Sequence, residues 1–169
     1  LQFSDLLPKV PRLSLSEVPE VSAYFKNTLR AMFGEDEDKV RSCVQEITQM
    51  FWTPEKMRER LAGIEDGEQL KSAMRRLRRD VMMSLVARDI SGLANLEEVV
   101  TVMSDLAEIA IDRTVSVYAK ELAKRFGVPR SETGVPQDLI VIGMGKLGGR
   151  ELNVSSDIDL IFFYDCDGE

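Results

Sequence analysis

The sequence predicts an α+β chain, in which a mainly helical amino-terminal region is followed by the first strands of a sheet. Apolar residues recur at helical spacing from about residue 19 to residue 126. A linker rich in turn-forming residues then spans residues 129–136, and two short apolar runs flank a glycine-rich segment. We therefore predict a helical region over residues 1–130 and the start of a second domain over residues 136–169.

The first helices are predicted from apolar spacing and from the residues that begin and end helices. Residues 1–18 contain prolines and are expected to be extended. Helices are predicted from about Pro19 to Phe33, before Gly34, and from Asp36 to Phe51. Thr53-Pro54-Glu55 predicts the start of a short third helix, because it offers an N-cap, a first-turn proline and an acid near the positive helix end.

Two longer helices follow. One is predicted from Gly67 to Ile90 and carries the Met82-Met83 pair, which we expect in the core. The other begins after Asn95, which forms a plausible capping pair with Glu98, and runs to Phe126. This last helix is apolar on more than one side, so we expect it to be largely buried.

Two strands are predicted after the helices. They correspond to the β-branched runs from Asp138 to Gly143 and from Ile158 to Tyr164. The glycine-rich segment joins them, so the two strands mark the beginning of a sheet.

The composition excludes several classes of function. The chain has no histidine, and its two cysteines, Cys43 and Cys166, lack metal-ligand spacing, so His-based catalysis, Cys/His zinc sites and serine–histidine–acid triads are excluded. A net charge of −7 argues against broad affinity for nucleic acid. No signal peptide or membrane-spanning run is found, and we expect a cytoplasmic protein with free thiols. Because the chain begins with Leu1 and ends just after an apolar run, we expect it to be part of a longer protein.

The glycine-rich segment has the composition of a phosphate-binding turn. Four glycines fall within the seven residues 143–149, directly after a predicted strand. Glycines let the backbone turn sharply and approach a ligand closely. Backbone N–H groups exposed in such a turn form a concave site for anions.

Two acids follow this turn at a spacing that suits a metal ion. Asp157 and Asp159 are two residues apart at the start of an apolar run. Side chains alternate across a strand, so both carboxylates are expected on one face. Such a pair can bind one or two Mg²⁺ ions whose remaining positions take water and substrate phosphates. The pattern therefore indicates metal-dependent chemistry on a phosphate group.

Two other interpretations of the segment remain open on the residues alone. Gly143, Gly145 and Gly148 can be read as a dinucleotide-binding fingerprint, although Asn153-Val154-Ser155-Ser156 interrupts the helix that should follow. The segment can also be a simple glycine turn followed by solvated acids.

The segment from Gly143 to Phe162, which reads Gly-Met-Gly-Lys-Leu-Gly-Gly-Arg-Glu-Leu-Asn-Val-Ser-Ser-Asp-Ile-Asp-Leu-Ile-Phe, resembles the signature of bacterial glutamine synthetase adenylyltransferase/deadenylylase enzymes. These enzymes belong to the nucleotidyltransferase superfamily. The resemblance is strongest over residues 141–163, and residues 1–65 contribute almost nothing to it. It implies that the predicted strands begin a nucleotidyltransferase-type sheet.

The resemblance also implies roles for individual residues. Asp157 and Asp159 would be the catalytic metal ligands, with Mg²⁺ or Mn²⁺ as the metal ion. The residues expected to contact phosphate are Gly145, Lys146, Gly148, Gly149 and Ser156. Here Gly145-Lys146 stands where the superfamily usually has Gly-Ser, so a lysine would replace a hydroxyl as a point charge. The superfamily's third carboxylate would lie beyond the end of this chain, so we expect the fragment alone to be inactive.

By resemblance, the reaction either attaches AMP from ATP to a tyrosine of glutamine synthetase or removes it with phosphate, giving ADP. Asn153 and Ile158 favour the removing, amino-terminal half. Glutamine synthetase is the expected protein substrate, and a PII-type signal protein is the expected regulator. The alternatives are a non-catalytic helical module that docks on either protein, and a nucleotidyltransferase that acts on a small molecule.

A basic stretch lies on the helix predicted from Gly67. Arg75, Arg76, Arg78 and Arg79 accompany Lys71 there. It could contact a nucleotide phosphate or an acidic partner, but a solvated helix face balanced by Asp80 is the simpler interpretation.

Overall fold

The structure, a computed structural model, describes residues 22–165. The predicted extended segment, the first residues of the first predicted helix and Cys166 lie outside the described residues. The elements are α1 Ala23–Phe33, α2 Glu37–Gln49, α3 Pro54–Arg60, α4 Gly67–Ile90, α5 Leu96–Phe126, β1 Ile140–Met144, α6 Gly145–Gly148 and β2 Asp159–Phe163. The predicted α+β class is confirmed, because helices precede a two-stranded antiparallel sheet. None of the helices in the described part combines the length and apolarity that a membrane crossing requires.

The first three helices begin at side-chain caps. Ser22, Asp36 and Thr53 each accept a hydrogen bond from the backbone N–H three residues later, at 3.2, 3.1 and 3.4 Å respectively. Each bond satisfies a donor that the helix itself leaves free. Pro54 occupies the first turn of α3, as predicted. Gly34 ends α1 with a φ of +64°, a conformation that residues with a side chain rarely adopt.

The described residues form two compact units. The first comprises residues 22–50 and 83–95, and the second comprises residues 51–82 and 96–165. The predicted division into residues 1–130 and residues 136–169 stays a prediction.

The core of the first unit is built from α1, α2 and the last part of α4. Its buried side chains are Phe25, Leu29, Val44, Met83 and Ala87. Ser84 is buried as well, and its hydroxyl lies 2.8 and 2.9 Å from the carbonyl oxygens of Ile47 and Met50. The Ser84 hydroxyl thus supplies a buried donor to the carbonyl groups at the carboxyl end of α2.

The core of the second unit is built from α3, the first part of α4 and α5. Its buried members include Trp52, Met57, Leu61, Leu70, Leu77, Val81, Val99, Val102, Leu106, Ile109 and Val117. Met82 and Met103 are also buried, in agreement with the prediction that these methionines fill the core.

Two expectations about apolar residues were wrong. The last turns of α5 are open to solvent, since Leu122 is 55% and Phe126 69% exposed. Phe51 was expected on the apolar face of α2, but that helix ends at Gln49, and Phe51 is 56% exposed. The apolar pattern in the sequence therefore extends beyond the residues that other elements cover.

The two strands form a hairpin that carries the glycine-rich segment between them. β1 pairs with β2 in antiparallel register, from Ile140 opposite Phe163 to Met144 opposite Asp159. Both predicted strands are present, with boundaries shifted by one or two residues. The hairpin brings the end of β1, where the glycine turn starts, next to the beginning of β2.

Candidate functional site

The glycine turn begins directly at the end of β1. Gly145 has a φ of +54°, a left-handed conformation that glycine adopts without steric cost. The short helix α6 follows, and its preceding residue, Met144, provides no side-chain cap. The backbone therefore reverses direction here without the side-chain cap that begins each of the first three helices.

Close packing explains two of the glycines. A Cβ atom on Gly148 would lie 2.7 Å from the carbonyl oxygen of Gly143. A Cβ atom on Gly143 would lie 2.7 Å from Cγ of Leu147, which is buried under the turn. The turn thus folds back tightly onto β1, independently of any ligand.

Asp159 faces this turn. Its Oδ2 atom lies 3.7 Å from the position that a Cβ atom on Gly145 would occupy. The sheet register causes this proximity, because Asp159 is paired with Met144, the residue immediately before Gly145. The predicted proximity of an acid to the glycine bend is therefore present for Asp159.

Asp157 precedes the strand. Since β2 begins at Asp159, the alternation of side chains along a strand applies to Asp159 alone. Asp157 instead lines a groove of about 410 Å³ together with Ser156 and Ile158. The two predicted metal ligands are thus placed at the start of β2, one facing the glycine turn and the other lining a groove.

The two carboxylates are available to a cation. Both residues are exposed, and within residues 22–165 neither forms an ion pair. No set of three or more His, Cys, Asp or Glu side chains in the described part of the chain could hold a metal ion. Mg²⁺ is commonly bound by only one or two carboxylates, with substrate phosphates and water completing its octahedral shell. Asp157 and Asp159 fit that mode of binding.

Lys146 and Gly149, both predicted to contact phosphate, differ in whether their hydrogen-bond donors are free. Lys146 is exposed, and its ammonium group has no hydrogen-bond or ion-pair partner within the described residues. The N–H of Gly149 donates to the carbonyl of Gly145 at 3.0 Å. Glu151 closes the turn, because its N–H donates to the carbonyl of Lys146 at 2.7 Å. The ammonium of Lys146 is therefore the freer phosphate ligand of the two.

Ser156 belongs to a local turn that leads into the acids. Its hydroxyl donates to Oδ1 of Asn153 at 2.9 Å and accepts from the Asn153 N–H at 3.2 Å. The same amide oxygen also accepts from the N–H and the hydroxyl of Ser155, each at 3.0 Å. Asparagine is well suited to such turns, because its side chain bonds to nearby backbone. The turn holds the backbone immediately before Asp157.

Arg150 was not singled out by the sequence patterns, yet it anchors the segment. It has a φ of +55°, rare for a residue with a side chain. Its guanidinium forms ion pairs with Asp105, at 2.5 Å, and with Glu108, both on α5. The hydrogen bonds that Arg150 donates to Glu108 and then to Asp105, in order of effect, raise the pKa of Arg150 above its usual value. The only sequence signal was a pair of acids three residues apart in an otherwise apolar part of α5.

Leu152 provides a second anchor. Its side chain is 2% exposed, and its N–H donates to the hydroxyl of Ser104 at 3.4 Å. Ser104 is itself fully buried within α5. The loop between the glycine turn and the acids is therefore fixed to one helix by an ion-pair cluster and a buried leucine.

Comparison with known proteins identifies a matching family and several relatives of this chain. A family model described as glutamate-ammonia ligase adenylyltransferase matches residues 14–169. The chain is 52% identical over 103 residues to a protein of Bordetella pertussis, and 50% identical over 109 residues to one of Ralstonia nicotianae. A protein of Chromobacterium violaceum is 54% identical over 103 residues. All three are named bifunctional glutamine synthetase adenylyltransferase/adenylyl-removing enzyme.

The matched segments cover 60%, 64% and 60% of this chain, respectively, but only 11% of each relative. The chain thus spans about a tenth of the length of these relatives. The family model, in contrast, matches nearly all of its residues, including the glycine turn and both acids. The chain belongs to the glutamate-ammonia ligase adenylyltransferase family.

Proposed function

We propose that this chain contributes the glycine turn and two metal-binding carboxylates of a catalytic centre that transfers AMP to or from glutamine synthetase. The observation that carries the proposal is the position of Asp159, whose Oδ2 lies 3.7 Å from the site of a Cβ atom on Gly145. A carboxylate beside a bare backbone turn can hold a cation next to a phosphate that contacts the turn. The names of the relatives supply the protein substrate.

In this proposal Asp157 and Asp159 hold Mg²⁺, or Mn²⁺ in its place. The cation would neutralise charge that develops on the phosphate oxygens during transfer. Lys146 supplies a further positive charge from the turn itself. Gly145, Gly148, Gly149 and Ser156 keep the backbone close to the phosphate. The superfamily's third carboxylate would come from another part of the natural protein.

The reaction is a displacement at the phosphorus atom of AMP. In the removing direction, an oxygen of inorganic phosphate forms a bond to that phosphorus, and the bond to the tyrosine oxygen breaks. The products are ADP and a tyrosine that takes up a proton. In the attaching direction, the tyrosine oxygen attacks the α-phosphorus of ATP, and pyrophosphate leaves. Asn153 and Ile158 favour the removing direction for this chain.

We further propose that residues 1–130 form a helical region that supports the catalytic domain beginning at residue 136. Arg150 and Leu152 carry the evidence, because both attach the site loop to α5. The proposal extends to a PII-type protein as regulator and to a cytoplasmic location, in keeping with the bacterial relatives.

The experiment measures ADP formed from adenylylated glutamine synthetase, inorganic phosphate and Mg²⁺ by the natural protein that contains these 169 residues. D157N and D159N are each expected to lower the rate by more than about 100-fold, because even residues that only orient metal ligands cost about 10- to 100-fold. D138N is the matched control, since Asp138 is an exposed acid just before β1.

Unchanged phosphorolysis in both D157N and D159N would refute the assignment of these acids. If only the formation of adenylylated glutamine synthetase from ATP depended on them, the chain would belong to the attaching half. Binding of glutamine synthetase without any turnover that depends on either acid would instead support a docking module.

A further inference from the structure

Two grooves border residues 143–159, which run from the glycine turn to the two acids, and the charges of these grooves differ. The first is the groove of about 410 Å³ that Ser156 and Asp157 line; we call it the cationic groove. Its other charged members are Lys71, Arg75 and Arg78, all on α4. Three cations and one acid give it a formal charge of +2.

The second groove, of about 510 Å³, is lined by Gly143 and Gly148 on the side of the turn and by α5 on the other. Its charged members are Glu108, Asp112 and Arg150, which give a formal charge of −1. Arg150 is already engaged by Glu108 and by Asp105. A phosphate on the α5 side of the second groove, next to Glu108 and Asp112, would therefore meet net repulsion, whereas a phosphate in the cationic groove would meet attraction.

The arginines of the cationic groove are available to a ligand. Lys71 is paired with Glu68 at 2.8 Å, whereas neither Arg75 nor Arg78 forms an ion pair within residues 22–165. Their spacing of three residues places them on one face of α4. Arg79, in contrast, is outside the lining and is paired with Asp80 at 2.8 Å. The basic stretch thus includes one arginine that is paired, Arg79, and two unpaired arginines that line the cationic groove.

The remaining wall of the cationic groove is apolar. It is formed mainly by Met74, Leu77, Met103, Leu106, Leu152 and Ile158. A ligand that suits this lining has a flat or apolar part and a strongly anionic part. The volume falls within the range of about 300–1,000 Å³ that is typical of small-molecule sites.

We propose that the cationic groove binds the nucleoside di- or triphosphate substrate, with Arg75 and Arg78 as phosphate-contacting residues. The inference rests on the proposed function, because the groove shares Asp157 with the acid pair. The base and ribose lie along the apolar wall, and the guanidinium groups neutralise the phosphates through charge-assisted hydrogen bonds. The helix that carries the basic stretch would thereby contribute directly to substrate binding.

The test is calorimetric titration of ADP with Mg²⁺ into the natural protein that contains these residues. R75Q and R78Q are compared with R76Q, because Arg76 is an exposed neighbour outside the groove lining and is likewise unpaired within the described residues. Glutamine retains a good helix propensity, so α4 should be preserved in all three variants. Far-ultraviolet circular dichroism verifies this.

We expect R75Q and R78Q each to raise the Kd for ADP by about 10-fold, because each variant loses a charge-assisted hydrogen bond to a phosphate. R76Q should change the Kd by less than about twofold. The salt dependence of binding should also weaken in R75Q and R78Q but not in R76Q, because a screened charge pair has been removed.

Equal affinities in R75Q, R78Q and R76Q would overturn the inference. The proposed function would survive that result if D157N still abolished Mg²⁺-dependent ADP binding, and would fail with it if D157N had no effect. Weaker binding of glutamine synthetase by R75Q and R78Q, with unchanged ADP affinity, would also overturn it and would assign the groove to the protein partner.

Discussion

The helical part of the chain and the glycine–acid segment, residues 140–163, differ in how far their apolar side chains are buried and their polar groups are paired. In the helical cores, apolar side chains such as Phe25 and Leu77 are buried, and caps such as Ser22 and Thr53 satisfy free backbone donors. In the segment, Ile142 and Phe162 are 44% and 55% exposed, and the carboxylate of Asp159 has no ion-pair partner in the described residues. Exposed apolar side chains and an unpaired carboxylate do not stabilise the isolated chain, and they are typical of surfaces that bind a ligand or another protein segment.

The comparison teaches how to separate stability from function in this chain. Substitutions in the helical cores should lower the free energy of unfolding. Substitutions of the exposed charged site residues Lys146, Asp157 and Asp159 should leave the free energy of unfolding unchanged and should alter binding or turnover.

The largest expected effect on stability is that of Phe25→Ala. Phe25 is fully buried in the core of the first unit, so its truncation removes apolar burial and leaves a cavity. We expect a loss of about 3–5 kcal/mol in the free energy of unfolding, measured by urea denaturation followed by circular dichroism. D159N, measured alongside, should change stability by less than about 0.5 kcal/mol. A larger loss in D159N than in Phe25→Ala would break the comparison.

A smaller effect is expected from Gly148→Ala, which tests whether the turn is packed independently of a ligand. The added Cβ would lie 2.7 Å from a backbone oxygen of Gly143, so the turn must shift. We expect a destabilisation of about 1–3 kcal/mol without any nucleotide present.

Gly149→Ala is the stability control for this turn. Gly149 has a φ of −83°, and its nearest atoms to an added Cβ lie at 3.6 Å, an ordinary contact distance. It should therefore be tolerated within about 0.5 kcal/mol. Equal melting temperatures for Gly148→Ala and Gly149→Ala would refute the close packing of the turn.

Arg150 tests both halves of the comparison, because it lies in the glycine–acid segment and forms ion pairs with α5. Arg150→Gly removes both ion pairs but suits the φ of +55°, whereas Arg150→Ala retains the steric cost of that conformation. We expect Arg150→Ala to be less stable than Arg150→Gly by about 1 kcal/mol. Thermal unfolding of the two variants side by side measures the difference.

Both substitutions at Arg150 should also weaken Mg²⁺-dependent ADP binding, since the loop before Asp157 loses an attachment to α5. Arg150→Lys should restore part of it, because a lysine keeps the charge but not the two-pronged geometry. Retention of full affinity in Arg150→Gly would show that the ion pairs serve stability alone.

The smallest predicted effect is a pH dependence at the start of α2. The side-chain hydrogen bond from Lys39, followed by the Lys39 backbone N–H, lowers the pKa of Asp36. A carboxyl whose pKa is lower in the folded state adds stability above its unfolded pKa of about 3.9, and that stability is lost as the pH falls through the folded value. Below about pH 4, the melting temperature of D36N should therefore decrease less steeply than that of the unsubstituted chain. Parallel curves would contradict this account of the cap.

Helices could be predicted well from the sequence because their signals are local. The bounds of α4 and α5 match the predicted Gly67–Ile90 and the predicted end at Phe126. Spacing, caps and terminating glycines all act within a few residues, so they can be read without knowledge of the fold. Exposure was less predictable, as Leu122 and Phe51 show, because it depends on which other elements cover a face.

The candidate site was predictable only where its parts are close together in the sequence. The glycine turn and the start of β2 are adjacent in a hairpin, so their proximity follows from sequence order. The attachment of Arg150 to Asp105 and Glu108 spans 45 and 42 residues, and no local pattern announces it. The meeting of Arg75 with Asp157 in one groove likewise depends on the packing of α4, α5 and the loop before β2.

The central claim is that a divalent cation joins the acids at the start of β2 to a nucleotide phosphate beside the glycine turn. Its most direct test is the Kd of ADP with and without Mg²⁺, measured for the unsubstituted protein, D159N and the control D138N. We expect Mg²⁺ to tighten binding by at least about 10-fold in the unsubstituted protein and in D138N, and by less than about twofold in D159N. The same Mg²⁺ dependence in D159N as in D138N would contradict the claim.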